Sequence, residues 1–224
     1  MVKELTLNIP TSYGDISLKK WIELQNELEN YKDNEEAVNA LILYHLCGLE
    51  PTYINGLDMN SYSEIKLELD SFLANTELPL QKIIKVDGIE YGFEPNLSQM
   101  SYGAYCDITQ FDTIAIDKNW TKVMNILYRP IVKKQGDMYT IKPYVPNDDD
   151  SKWLSVGMDI HFGCLFFFVH LLTDLLSSTL KSTMGMELPL SINSILARSG
   201  KLIPQYLNSP MEMLQSMKKS NNNL

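Results

Sequence analysis

Few residues in this chain have the types and spacing that chemistry needs. His161 and Cys164 lie three apart, which would place both on one helical face, and His45 with Cys47 is the other close His and Cys pair. Such pairs raise the question of a metal. A structural zinc site gathers four ligands in paired spacings, and the sequence contains neither Cys-x-x-Cys nor His-x-x-x-His. The three cysteines, Cys47, Cys106 and Cys164, stand far apart in apolar surroundings. They read as small buried core residues, and their odd number cannot complete a disulfide framework.

His170 lies one helical turn before Asp174, so it could carry a proton or simply bond that carboxylate. With no nucleophile beside it in sequence, the structural role is the expectation. Asp148-Asp149-Asp150 lacks the alternating pattern of a calcium loop and reads as a solvated loop or helix start. Phosphate-cradling glycine loops, a Gly-x-Ser-x-Gly elbow and a metalloprotease His-Glu pair are not in the sequence. The expectation is therefore no catalytic residue, no metal ligand and no cofactor-binding residue. Met211, Met213, Leu214 and Met217 fit an adaptable contact with a partner or the chain's own core equally well.

Placing these residues is the task of a mainly helical chain. Ser17 can cap a helix with Leu18, Trp21, Leu24, Leu28 and Tyr31 on one face, and Asp33 with Glu36 suits the start of the next, which carries Leu41, Tyr44 and His45. Gly48 and Pro51 then stop it. A second capping box, Ser61 with Glu64, precedes Ile65, Leu69, Phe72 and Leu73. The period changes at Ile84-Lys85-Val86 and Ile89 to Phe93, which flank Asp87-Gly88, a two-residue hairpin turn.

Beyond the hairpin, Ser101 can start a helix whose Tyr102 and Tyr105 are spaced as a buried stripe. A further helix with Trp120, Val123, Met124 and Leu127 should be stopped by Pro130. Gln135-Gly136-Asp137 turns the chain into Met138 to Val145, and 152–184 reads as one long apolar helix or a pair broken near Gly163. Within it, Gly163 to Leu176 is too short for a membrane span and must be covered by protein, with Phe166, Phe167 and Phe168 buried from several sides. An echo of Ile16-Ser17-Leu18 before Tyr44 in Met100-Ser101-Tyr102 before Tyr128 allows a duplicated helix pair.

The fold class that follows is mainly α with a small antiparallel β-hairpin element, an α+β helical bundle with a core of Trp21, Leu41, Phe72, Phe93, Trp120, Leu127 and Phe167. The regions read as 1–78 strand and helices, 79–150 hairpin, helix pair and second hairpin, and 151–217 apolar helix and C-terminal helices. These pack as one unit, with 218–224 as a polar tail. The 224 residues suffice for a sizeable core, and 45% hydrophobic with 21% charged residues is a globular balance. A formal charge of −9 opposes nucleic-acid binding. The first ten residues lack the apolar core of a signal peptide, and the cysteines suit a reducing cytoplasm.

Five segments carry a family resemblance: Ser17-Leu18-Lys19-Lys20-Trp21, the hairpin ending Tyr91-Gly92-Phe93-Glu94-Pro95-Asn96-Leu97, Ser101-Tyr102-Gly103-Ala104-Tyr105, Ile126-Leu127-Tyr128-Arg129-Pro130, and Leu165-Phe166-Phe167-Phe168. In this order the chain resembles proteins encoded among the tail and virion genes of tailed bacteriophages, particularly crAss-like phages. The resemblance spans residues 5–180 by pattern. It implies a non-enzymatic virion protein, a tail or cargo component, localised to the virion after synthesis in the bacterial host cytoplasm. Its partners would be other phage virion or tail proteins or further copies of itself, with no nucleic acid and no membrane. A tail-assembly chaperone absent from the mature particle and a small enzyme are the alternatives. Short-tailed crAss-like virions have no long tail tube for a tape-measure chaperone to serve, which favours the virion component.

Overall fold

The computed structural model describes residues 7–31, 34–74, 78–110, 119–146 and 148–167. Among these residues seven α-helices and a four-stranded antiparallel sheet make an α+β fold. Two compact units divide it. Among the described residues, one holds 7–74 with 157–159, and the other holds 78–156 with 160–167.

In the first unit α1 (Leu18–Tyr31) and α2 (Glu35–Cys47) pack together, followed by α3 (Pro51–Ile54) and α4 (Met59–Leu73). α1 buries Leu18, Trp21, Leu24 and Leu28, while Tyr31, expected on the same stripe, is 49% exposed. α4 buries the four apolar residues its spacing marks: Ile65, Leu69, Phe72 and Leu73. Its cap is not Ser61. Asp58 lies one residue ahead of the helix and accepts from the amides of Asn60 and Ser61, both at 3.0 Å. A carboxylate satisfies two of the exposed first-turn amides, and the Ser61 hydroxyl donates to it at 2.7 Å. These bonds hold the Asp58 carboxyl below its usual range.

The cap of α2 is likewise Asn34, which accepts from the Ala37 amide at 3.1 Å, and Asp33 lies outside the described residues. Gly48 ends α2 with φ 68, a left-handed value suited to glycine. Pro51 does more than stop that helix: it occupies the first turn of α3, where a missing N–H costs nothing. The buried face of α2 is Ile42, Leu43, Leu46 and Cys47, with Leu41 only half-buried and Tyr44 exposed. Apolar residues occupy so much of its circumference that spacing alone could not select the inner face.

In the second unit β1 (Ile83–Val86), β2 (Ile89–Phe93), β3 (Tyr128–Gln135) and β4 (Met138–Ile141) lie side by side in chain order. Both residues of the first turn, Asp87 and Gly88, have positive φ, 49 and 82, as a type I′ hairpin requires. The two hairpins join through β2 and β3, with Phe93 opposite Tyr128 and Tyr91 opposite Pro130. Pro130 therefore does not end a helix. α6 (Trp120–Leu127) finishes three residues earlier, and Pro130 sits inside β3, beyond the Ile131–Ile141 pair where its missing N–H removes little of the ladder. Tyr128 thus opens a strand, whereas Tyr44, its counterpart in the sequence echo, lies within α2.

α5 (Tyr102–Gln110) exposes Tyr102 and Tyr105, at 82% and 58%, and buries Ala104 instead. The small alanine lets the helix approach its neighbour, and the phenol hydroxyls tolerate water, which overturns their expected core role. The last described helix, α7 at 158–167, buries residues 161–165, while Phe166 and Phe167 are half-buried. Phe162 and Phe166 stack at 5.8 Å between ring centroids. Phe167 is thus a rim residue of the core, and Phe168 lies outside the described residues. Among the described residues no helix is long and apolar enough to cross a membrane.

Candidate functional site

Three elements of the second unit meet at His161. Its Nδ1 accepts from Trp120 Nε1 at 3.0 Å, and its Nε2 lies 3.1 Å from the Trp153 carbonyl, so the ring carries its proton on Nε2 and donates it there. Both nitrogens are used within the core. The ring is fully buried, and desolvation lowers its pKa to about 4, so it is neutral at ordinary pH. Cys164 is also fully buried, and desolvation raises its thiol pKa. Instead of forming a metal pair, His161 fastens α6, α7 and the 3-10 turn Ser151–Ser155 together.

His45 lies 3.3 Å from Glu27, and the buried Cys47 thiol is pushed up to about 11, chiefly by desolvation. Among the described residues no group of three or more His, Cys, Asp and Glu side chains could hold a metal ion. The acidic run is a helix start: the Asp149 carboxyl accepts from the Ser151 amide at 3.0 Å, and Asp150 accepts from the Thr121 hydroxyl at 2.7 Å. Asn125 ties this turn to α6, its Oδ1 accepting from Lys152 Nζ at 2.7 Å and Trp153 Nε1 at 3.1 Å. His170, Asp174 and the Met211–Met217 segment lie outside the described residues.

A groove of about 890 Å³ lies in this unit. Segment 93–98 contributes Phe93, Pro95 and Leu97, the second hairpin contributes Met138 and Tyr139, and Phe167 stands 5.4 Å from Phe93 between ring centroids. A register shift between Ile131 and Lys133 bends β3. Such a bulge strengthens local twist, and here β4 comes close to β2. Tyr139 lies against Gly92, where an added Cβ would collide with the ring, and its hydroxyl donates to the Phe93 carbonyl at 2.7 Å. Gly92 is thus glycine because the ring occupies the space of a side chain.

Charge in the groove is partly neutralised from within. Glu94 forms an ion pair with Arg129 in which each side chain is only 10% exposed. Burial lowers the Arg129 pKa, and the neighbouring carboxylate opposes that shift. Lys82, Lys133 and Asp137 line the groove with no ion-pair partner among the described residues. An apolar floor, a held tyrosine and excess positive charge suit binding of another molecule. Gly92 inside a strand was the sequence signal for a close approach; nothing in the sequence pairs Glu94 with Arg129.

No family model, curated protein or solved structure matches the chain.

Proposed function

We propose that this chain is a bacteriophage virion-associated protein, a tail or cargo component that acts through protein–protein contacts without catalysing a reaction. The observation that carries the contact role is the groove between segment 93–98 and the second hairpin. Its lining mixes apolar side chains with a few charges, and it is rimmed by Met138, 74% exposed. A cleft lined by apolar side chains with a few polar groups is the usual form of a binding site. Support for the virion comes from the five segments that resemble phage tail and virion proteins, two of which, 91–97 and 126–130, form the wall and the adjoining strands of this unit.

The test is peptide counting by mass spectrometry in gradient-purified particles from infected cells. A fixed copy number per particle is the expected result. Recovery in the lysate alone would replace this reading with the assembly chaperone.

A further inference from the structure

The groove lies against β4, an edge strand of the sheet. The turn residue Asp137 and then Met138, Tyr139 and Thr140 line it consecutively, so the groove meets three of the four residues of this strand. β4 ends the strand order, and among the described residues no strand lies on its outer side. Natural sheet edges are usually blocked by charges, prolines or bulges. β1, the opposite edge, carries Lys85, whereas Met138-Tyr139-Thr140-Ile141 has no charge, proline or glycine. The strand is also held in place before anything binds, because the Tyr139 hydroxyl is bonded to the Phe93 carbonyl.

On this basis, and resting on the contact role proposed above, we infer that β4 takes up an extended, acidic segment of a partner protein as a fifth strand, with one apolar side chain of that segment seated in the groove. Main-chain bonds to an edge strand bind an extended chain of many sequences, and the adjoining groove then selects among them. Phe93, Leu97 and Phe167 select for the apolar side chain. Charge selects the sign: Glu94 is neutralised by Arg129, which leaves Lys82 and Lys133 against Asp137. An acidic segment is thus attracted and a basic one opposed.

The experiment uses the full chain and two pools of seven-residue peptides with a central Phe, flanked by Glu in one pool and Lys in the other. The readout is amide hydrogen exchange of Tyr139 and Ile141, whose N–H groups alternate away from β3, since those of Met138 and Thr140 face it. The Glu pool should slow exchange there and bind about tenfold more tightly than the Lys pool, and Lys133→Glu should abolish or reverse that preference while leaving the fold intact. Methylating the central peptide nitrogens should remove the protection. The inference falls if neither pool protects β4, if methylated peptides bind equally, or if these amides already exchange slowly without peptide, since the chain itself would then occupy the edge. Fixed copy number in particles without peptide binding would leave the virion reading standing alone, and peptide binding by a chain missing from particles would do the opposite.

Discussion

The two faces of the β2–β3 pair are closed by different physics. On one face Tyr91, Phe93 and Tyr128 are buried, with Trp153 5.4 Å from Tyr91 and 5.8 Å from Tyr128 between ring centroids. Ordinary burial of apolar area stabilises that side, and the polar atoms of Trp120, Trp153 and His161 are satisfied among themselves or by Asn125. On the other face stand Gly92, the Glu94–Arg129 pair and the outer Glu90–Lys134 pair, with Tyr139 laid across the glycine. Here close approach and paired charge take the place of bulk. The first face tolerates volume-conserving change, whereas the second depends on each partner being present.

The largest expected effect comes from dividing the buried ion pair. Arg129→Met leaves Glu94 buried without its cation and should destabilise the second unit by about 3 to 5 kcal/mol, read from chemical denaturation. Adding Glu94→Leu should restore most of that loss. If the single and double variants are equally destabilised, packing rather than charge closes this face.

Acid should act on the aromatic face next. Because His161 is held at about 4 in the folded chain and returns to about 6.5 on unfolding, the unfolded state binds the extra proton between those values. Its contribution is therefore fully present above about pH 6.5 and is lost as pH falls toward 4, about 3 kcal/mol in all. Protonation of Nδ1 would also set two donors, that nitrogen and Trp120 Nε1, against each other. His161→Phe should flatten this part of the stability–pH curve at some cost in stability at neutral pH; an unchanged slope would remove His161 as its source.

Gly92→Ala should follow, at about 1 to 3 kcal/mol, since the new Cβ collides with the Tyr139 ring. Pairing it with Tyr139→Ala should relieve much of the clash, and a simple sum of the two losses would show that the contact is not what matters. Lys134→Ala belongs at the bottom of the scale, below about 0.5 kcal/mol, because its pair with Glu90 stands in solvent, with side chains 39% and 51% exposed. A thermal shift as large as that of Arg129→Met would erase the distinction between the inner and outer pairs.

The same contrast explains what could be read in advance. The apolar stripe of α4 and the Asp87-Gly88 turn are local: spacing of three and four, or two adjacent residues with positive φ, decides them. Strand pairing between the hairpins joins residues such as Gly92 and Arg129, far apart in the chain, and no local pattern encodes it. Pro130 misled for that reason, as a helix stop by propensity and a strand residue by context. Tyr102 and Tyr105 misled for a second reason, since helical spacing marks a face without saying whether protein or water meets it. The His161 site was legible as a helical pair of residues but not as a lock, because its partners Trp120 and Trp153 arrive from other elements.

Copy number per gradient-purified particle, measured for the natural chain and for Met138→Asp, decides whether this chain works by contact through the groove beside β4 as proposed. The substituted side chain is 74% exposed, so stability should hold while the groove gains a charge of the wrong sign for an acidic partner. The expected result is a fixed copy number for the natural chain and a clear fall for the variant at equal thermal stability. Equal copy number for both, or a natural chain missing from particles, would contradict it.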